Sequence, residues 1–312
     1  MTYPTISDLS GEAHLIRRYA MPSNKNWSAF NPSIILSDKE EYWIAFRASN
    51  YIFSDTRISV RLTAGNRVRN KMFLVRLKDD WSFDEDTLKE ITVDNVRENV
   101  VRGLEDPRLF WDGVSYCISS TYLEKDNPVA RISKIRLKSL EDPEVLSMEV
   151  YSSPNNQVEK NWMPVQDTES FIYDYCSVFT NEEIVKHDVS KEYKTFRGGT
   201  QVIPLGDGTS IGLVHEVYSV IARGVNSITF SSTTKIRNYS HRFVKYNKDL
   251  KPIQCSDNFI FVKEGIEFAS GIAPTKDGFV ISLGRSDLAS YVATISRENL
   301  LATLKDMNSE QA

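Results

Sequence analysis

The sequence predicts an all-β fold: a five-bladed β-propeller forming a single domain over residues 1–312, with a short C-terminal helix. Three observations lead there. One unit recurs five times along the chain, made of a polar or charged cluster, a strand, a turn and a second strand. Helical periodicity is scarce, and nearly everything else reads as short strands rich in β-branched and aromatic residues between turn signals. The units start at residues 31, 105, 160, 197 and 267. Their mean spacing of about 60 residues suits a four-stranded blade with a functional loop. No Pro/Gly/Ser-rich linker divides the chain, and a ring of blades needs none. A β-sandwich or two smaller β domains would not bring all five unit starts to one axis.

The first unit runs from Asn31-Pro-Ser-Ile-Ile-Leu to Arg47, turning at Ser37-Asp38-Lys39-Glu40. The second runs from Glu105-Asp106-Pro107-Arg108 to Thr121 through Asp112-Gly113. The third runs from Lys160-Asn161-Trp162 to Cys176 through Asp167-Thr168-Glu169. The fourth runs from Arg197-Gly-Gly-Thr-Gln to His215 through Asp207-Gly208, and the fifth from Glu267-Phe-Ala to Asp287 through Asp277-Gly278. In the three Asp-Gly turns, glycine is expected to supply a positive φ. The one helix signal is Ser296-Arg-Glu-Asn-Leu-Leu-Ala-Thr-Leu-Lys, with Ser296 as N-cap and Leu300, Leu301 and Leu304 as its apolar stripe. In an antiparallel hairpin the start of the first strand and the end of the second share one end. The repeat therefore gathers Asn31, Arg47, Glu105, Asp106, Lys160, Arg197, His215, Glu267 and Asp287 on one face. Such a collection of charge is costly without a ligand.

Composition narrows the function. Apolar residues are 41% and charged residues 26% of 312, with a net charge of −4 and both signs interspersed. That gives no case for nucleic acid or for an anionic membrane. No stretch approaches 18 apolar residues, so no membrane span is expected, and no signal peptide is visible; a cytoplasmic location is the default expectation. Cys117, Cys176 and Cys255 are odd in number and scattered, which reads as buried free thiols in a reducing compartment. His14, His187, His215 and His241 show no metal-ligand spacing, and no metal is expected. Arg57 to Arg69 is a basic stretch, read as a solvated loop or an acceptor-side rim.

The sharpest motif is Gly103-Leu104-Glu105-Asp106-Pro107-Arg108. Proline biases Asp106 toward an extended conformation, and alternation along an extended segment points Glu105 and Asp106 to different sides. Lys160-Asn161 and Arg197-Gly198-Gly199 offer anion-site chemistry: a point charge, a guanidinium fork and exposed backbone amides. His215 closes a strand on the shared face, and His241 lies nearby in Asn238-Tyr-Ser-His241-Arg. Most aromatics, including Trp27, Trp43 and Trp111, are expected to pack between blades; Trp162 and Tyr51 are the better sugar platforms.

With these runs, the chain resembles the five-bladed propeller enzymes of glycoside hydrolase family 130, the mannoside phosphorylases and their relatives. The Gly-x-Glu-Asp-Pro-Arg run at 103–108 matches that family's signature, and the resemblance makes Asp106 the proton donor. It gives Asn31, Ser33, Arg47 and Asp287 to the sugar; Glu105, beside the donor, and Trp162, next to Lys160-Asn161, are further sugar-binding candidates from the residues themselves. Lys160, Asn161, Arg197, His215 and His241 would hold inorganic phosphate, a co-substrate in place of any cofactor. The implied reaction is an inverting phosphorolysis, or reverse synthesis, of a β-mannoside-type linkage, with an oligosaccharide or sugar phosphate as partner. The Lys-Asn-Trp and Arg-Gly-Gly-Thr-Gln runs depart from the family's usual pattern. The same cations also suit a sugar-nucleotide diphosphate, as in propeller mannosyltransferases. An inverting hydrolase would instead need a second carboxylate about 6.5–9.5 Å from Asp106, with Glu267 and Glu216 as candidates. A glycan-binding propeller without catalysis is the remaining reading.

Overall fold

A computed structural model describes residues 3–11, 13–19, 27–53, 60–63, 65–94, 104–123, 125, 129–151, 158–174, 176–180, 183–188, 193, 195–223 and 233–307. Its strands form five antiparallel blades, each opening with one of the five sequence units. The first blade is Ser28–Leu36, Tyr42–Ser49, Asn70–Arg76 and Lys89–Ile91. The second is Leu104–Trp111, Tyr116–Tyr122, Arg131–Leu137 and Val145–Tyr151, and the third Met163–Pro164, Phe171–Ile172, Ser177–Thr180 and Glu183–Lys186. The fourth begins with two short pieces, Arg197–Gly198 and Ile203–Pro204, which pair with the long strand Ser210–Arg223; Thr233–Tyr246 and Pro252–Cys255 follow. The fifth is Glu267–Pro274, Gly278–Arg285 and Ala289–Ser296.

Segments from far along the chain complete two blades. Ala13–Tyr19 adds antiparallel to Ala289–Ser296 as the outer strand of the fifth blade, with Ala13 opposite Ile295. Lys305–Asp306 adds to the outer edge of the fourth. The predicted C-terminal helix is Arg297–Ala302, capped by Ser296, whose side chain accepts from the Asn299 amide. A second short helix, Ile6–Ser10, is unforeseen: Thr5 and Asp8 form a reciprocal capping box, and Gly11 ends it at φ 72°.

The apolar core is divided into five seams, one between each pair of neighbouring blades. Ile35, Trp43, Leu109 and Ile118 join blades one and two; Phe110, Ile132, Trp162 and Phe171 join two and three. Met163, Val202, Val214 and Val244 join three and four; Leu213, Phe243, Ile272 and Ile281 join four and five. Ile34, Phe46, Val280 and Val292 close the ring between one and five. Both faces of an inner strand are therefore buried, which is why Tyr42-Trp-Ile-Ala-Phe is a continuous apolar run without alternation. The axis stays free for polar side chains.

Two local expectations change. Gly113 and Gly208 take the positive φ predicted for their turns, but Gly278 does not. Gly278 is needed for closeness, because a Cβ there would sit 2.1 Å from the Ile295 carbonyl oxygen. Trp162 is no sugar platform: it is 1% exposed, wedged among Tyr151, Phe171, Tyr173 and Phe179, and its indole N–H donates to Glu159. Its indole belongs to the seam between the second and third blades. Trp162→Ala should lower unfolding stability by about 3–5 kcal/mol in a denaturant titration, while Trp162→Phe should cost less and leave ligand affinity unchanged.

Candidate active site

At one end of the axis lies a cavity of about 920 Å³. Asn31, Arg47, Glu105, Asp106, Lys160, Asn161, Arg197, His215 and Asp287 all line it, so nine residues expected at the site, spread over all five blades, come together.

The chain reaches this geometry by kinking. Asn31, Asp106, Asn161 and Asp287 have φ of 51°, 50°, 65° and 52°. The ladder slips between Phe30 and Ser33 in the first blade and between Glu105 and Arg108 in the second, marking bulges at Asn31-Pro32 and Asp106-Pro107. The expectation of an extended Asp106 fails here, and so does that of divergent carboxylates. The bulge breaks alternation, so Glu105 and Asp106 both turn to Arg47, at 3.2 Å and 3.6 Å. Non-glycine residues at positive φ are uncommon, with Asn and Asp the tolerated types, and such strain clusters at functional sites. Room for the first kink comes from Gly284, where a Cβ would lie 2.0 Å from Asn31 Oδ1.

Arg47 organises the half of the cavity built by the first, second and fifth blades. Its Nη2 donates to Tyr51 Oη at 2.5 Å and its Nε to Asn70 Oδ1 at 3.1 Å, and the guanidinium lies over the Phe30 ring. Burial pulls the guanidinium down, but the fields of Glu105, Tyr51, Asp106 and Asp287 raise it above its ordinary value. Burial also pushes the Tyr51 phenol up to about 12, against the opposing pull of Arg47. Tyr51 is thus a buried partner of Arg47 and no stacking platform. Asn31 Nδ2 donates to Asp106 Oδ1 at 2.7 Å, fixing the Asp106 carboxylate. The Asp106 side chain is 18% exposed against 10% for Glu105, so Asp106 is the carboxylate more open to a ligand.

Opposite stands a wall from the third and fourth blades. Lys160 and Arg197 are exposed at its edge. Beneath them lies Arg108, a cation of the 103–108 motif to which the sequence assigns no site role. It is 1% exposed; Nε donates to Gly199 O (2.9 Å), Nη1 to Asp106 O (2.8 Å) and Nη2 to Asn161 Oδ1 (3.2 Å), over the Phe268 ring. The bond to Oδ1 leaves the Asn161 amide group, a donor, for the cavity. Burial lowers Arg108 to about 10, still well above neutrality, so it remains charged. Gly198 and Gly199 are not the exposed anion cradle expected of them. Both are buried, the Gly199 amide donates to Leu213 O, and a Cβ on Gly198 would lie 2.0 Å from Asn161 O.

The histidines differ from each other. His215 lines the cavity, 3% exposed, stacked on Tyr239, with Nδ1 unpartnered. Burial, then the charge of Arg108, hold it down at about 3; a Gly198 backbone hydrogen bond opposes this, while Arg197 and Lys160 add to it. It is a neutral ring, not a fourth cation beside Lys160, Arg197 and Arg108. His241 does not reach the cavity. It lies opposite His215 but one strand further from the axis, fully buried beside Phe259 and Phe261, and its Nε2 accepts the Ala269 amide. Burial, then His215, lower it to about 3.

Three further expectations move. Ser33 is buried and its hydroxyl accepts the Leu109 amide, tying blade one to blade two. Glu267 is 0% exposed, and its carboxylate accepts the amides of Phe261, Val262 and Lys263. In the fifth blade the register slips later, between Ala269 and Gly271, so Glu267 faces away and Phe268 lines the cavity. Glu216 is held by Thr195 and Asn258. Residues missed from sequence are Glu159, which accepts from Trp162 and Tyr173, and the aromatics Tyr173, Phe196, Tyr239 and Phe268. Arg67 and Arg69 are exposed, whereas Gly103 and Arg57 lie outside the described residues.

No family model matches the chain, and no curated protein does. Solved structures do. The β-1,2-mannobiose phosphorylase from Listeria innocua is 11% identical, with 92% of this chain and 98% of that one covered and a TM-score of 0.56. MPT-4, a mannose phosphorylase from Leishmania mexicana, is 14% identical over 95% and 92%, with a TM-score of 0.57. MPT-1, a GDP-Man-dependent mannosyltransferase from the same organism, is 15% identical over 91% and 90%, with a TM-score of 0.54. At these identities the likeness is one of fold.

The low histidine values have a signed consequence. A base lowered on folding gives stability that is present above its unfolded pKa, near 6.5, and is lost as pH falls toward about 3. NMR of the ring C–H signals should show His215 and His241 neutral from pH 8 down to pH 5, with unfolding free energy declining below about pH 6.5.

Proposed function

We propose that this propeller is a carbohydrate-active enzyme, an inverting glycoside phosphorylase with Asp106 as proton donor. The observation that carries the reading is the division of one cavity into two chemistries. Asn31, Arg47, Glu105, Asp106 and Asp287 form a wall of carboxylates, amide and guanidinium suited to sugar hydroxyls. Lys160, Asn161 and Arg197, with Arg108 beneath and neutral His215 beside them, supply donors suited to phosphate, while the carboxylates of that side accept from the protein itself, Glu159 from Trp162 and Tyr173 and Asp174 from the Cys176 and Ser177 amides.

In the proposed reaction, inorganic phosphate takes the role a hydrolase gives to activated water. A phosphate oxygen held by Lys160, Asn161 and Arg197 attacks the anomeric carbon. The bond from that carbon to the bridging oxygen breaks, and the Asp106 proton reaches the leaving oxygen through a sugar hydroxyl. The products are a sugar 1-phosphate of inverted configuration and a free acceptor. In reverse, the Asp106 carboxylate recovers the acceptor's proton. Asn31 keeps one carboxylate oxygen occupied, which leaves the other for this transfer. The sugar is assigned as a mannoside from the resemblance of the motifs and from the names of the structural neighbours.

A glycosyltransferase is the second reading, favoured by the same donor wall, which also suits a diphosphate, and by the fold shared with a GDP-Man-dependent mannosyltransferase. The hydrolase reading loses ground because neither Glu267 nor Glu216, the carboxylates nominated to activate water, lines the cavity.

Incubation with mannosyl disaccharides should release mannose 1-phosphate only when phosphate is present. Release of mannose in phosphate-free buffer, or transfer from a nucleotide sugar alone, would overturn the assignment. Asp106→Asn keeps the size of the side chain and should reduce turnover by about 10²–10⁴-fold with little change in sugar affinity by calorimetry.

A further inference from the structure

The cavity is asymmetric in a second way. The lining contributed by blades one and two is wholly polar: Asn31, Arg47, Glu105 and Asp106. Every apolar or aromatic lining residue comes from the later blades: Val158, Tyr173, Phe196, Val217, Tyr239, Ile266 and Phe268. Two of them are unusually open, Val158 at 51% and Val217 at 41% exposure. Val217 and Tyr239 are directly paired across the long strands of the fourth blade, one residue pair beyond Glu216 and Ser240. Tyr239 in turn stacks on His215, with ring centroids 5.1 Å apart, and His215 meets Phe268 edge-on. An apolar ladder therefore runs from the buried floor of the cavity outward to its rim.

The fold does not require this exposure. Neither valine belongs to any of the five seams, and both stand where a solvated rim would carry polar side chains. Apolar surface left open at the mouth of a cavity marks a contact with a ligand. The polar wall has the chemistry for one sugar, so the apolar ladder is left for whatever is bonded to that sugar.

We propose that the group joined to the sugar, leaving in one direction and accepting in the other, is apolar: an aryl or alkyl aglycone, or a glycoside carrying one, seated on Val217 and Tyr239 with Val158 facing it across the rim. This rests on the proposed phosphorylase reading for the placement of the sugar. The recognition itself is contact of apolar surface, so it is measurable without turnover.

The test compares methyl and phenyl β-D-mannopyranoside, which carry the same sugar and differ only in the aglycone. Binding by calorimetry and phosphate-dependent cleavage are measured side by side, in the wild type and in Val217→Thr and Val158→Thr. Both valines are exposed, so these variants should fold normally, as circular dichroism would verify. Phenyl mannoside should bind at least about tenfold more tightly than methyl mannoside, since small apolar increments in a pocket discriminate by about 10–200-fold. Val217→Thr should remove most of that preference and leave the affinity for methyl mannoside and for phosphate unchanged. Equal binding of the two glycosides, or a preference that survives both substitutions, overturns the apolar aglycone even if phosphorolysis is observed. A phenyl preference lost in Val217→Thr sustains it even if neither glycoside is cleaved, in which case the phosphorylase reading alone falls.

Discussion

The guanidinium of Arg108 is the contact on which the site depends. It grows from the second blade, bonds the backbone of its own bulge at Asp106, the Asn161 side chain of the third blade and the Gly199 carbonyl of the fourth, and lies over Phe268 of the fifth. Among the described residues its hydrogen bonds end on neutral oxygens, and no carboxylate is in salt-bridge contact with it. Removing such a charge from water costs several kcal/mol, while hydrogen bonds from a charged donor return about 1.5–3 kcal/mol each. Three such bonds roughly balance the cost, and the group stays ionised. The result is a fixed positive centre under the floor of the cavity that sets the position of the proposed acid and the orientation of the Asn161 amide together. An anion arriving above it would meet a field already in place, with no reorganisation needed.

The second constraint is backbone strain, placed where it is useful. A regular ladder would have sent alternate residues of each inner strand to opposite blades. The bulges at Asn31-Pro32 and Asp106-Pro107 defeat that alternation, turning Asn31 to the cavity in the first blade and the consecutive pair Glu105 and Asp106 in the second. Asx residues bear the left-handed φ at moderate cost, and proline after them limits the alternatives. The fifth blade lacks a bulge at the matching place, so it delivers a phenylalanine to the cavity and keeps its glutamate for fastening the 261–263 segment. One fold thus produces two kinds of wall from small differences in register.

Much of this was legible in the residues. The five hairpins, their common end and nine of the lining side chains follow from a repeated pattern of polar cluster, strand, turn and strand, because antiparallel pairing fixes which ends meet. What failed did so at the scale of a single residue. Glu267 against Phe268, and Trp162 against Asn161, differ only by which way one peptide turns; the first follows the later register slip of the fifth blade and the second the left-handed φ of Asn161, and neither leaves a mark in a period-two reading. His241 failed for another reason: strand order places it one rung further from the axis than His215, and local sequence is silent on which strand is innermost. Arg108 draws no site role from sequence because its acceptors, Asn161 and Gly199, are distant in the chain. The helix at Ile6–Ser10 has only the Thr5 and Asp8 capping box as its sequence signal, in a segment too short to show periodicity.

Ring closure has a consequence for how the molecule is made. The outer strand Ala13–Tyr19 must find Ala289–Ser296, with nearly the whole chain between them. During synthesis on the ribosome that early strand emerges long before its partner exists, and the first blade waits equally long for its seam with the fifth. Both present unsatisfied edges to the cell in the interval, the kind of surface that chaperones hold. Contacts of such sequence separation also slow the final step. The nascent chain should therefore acquire its hairpins in order and its circular closure last.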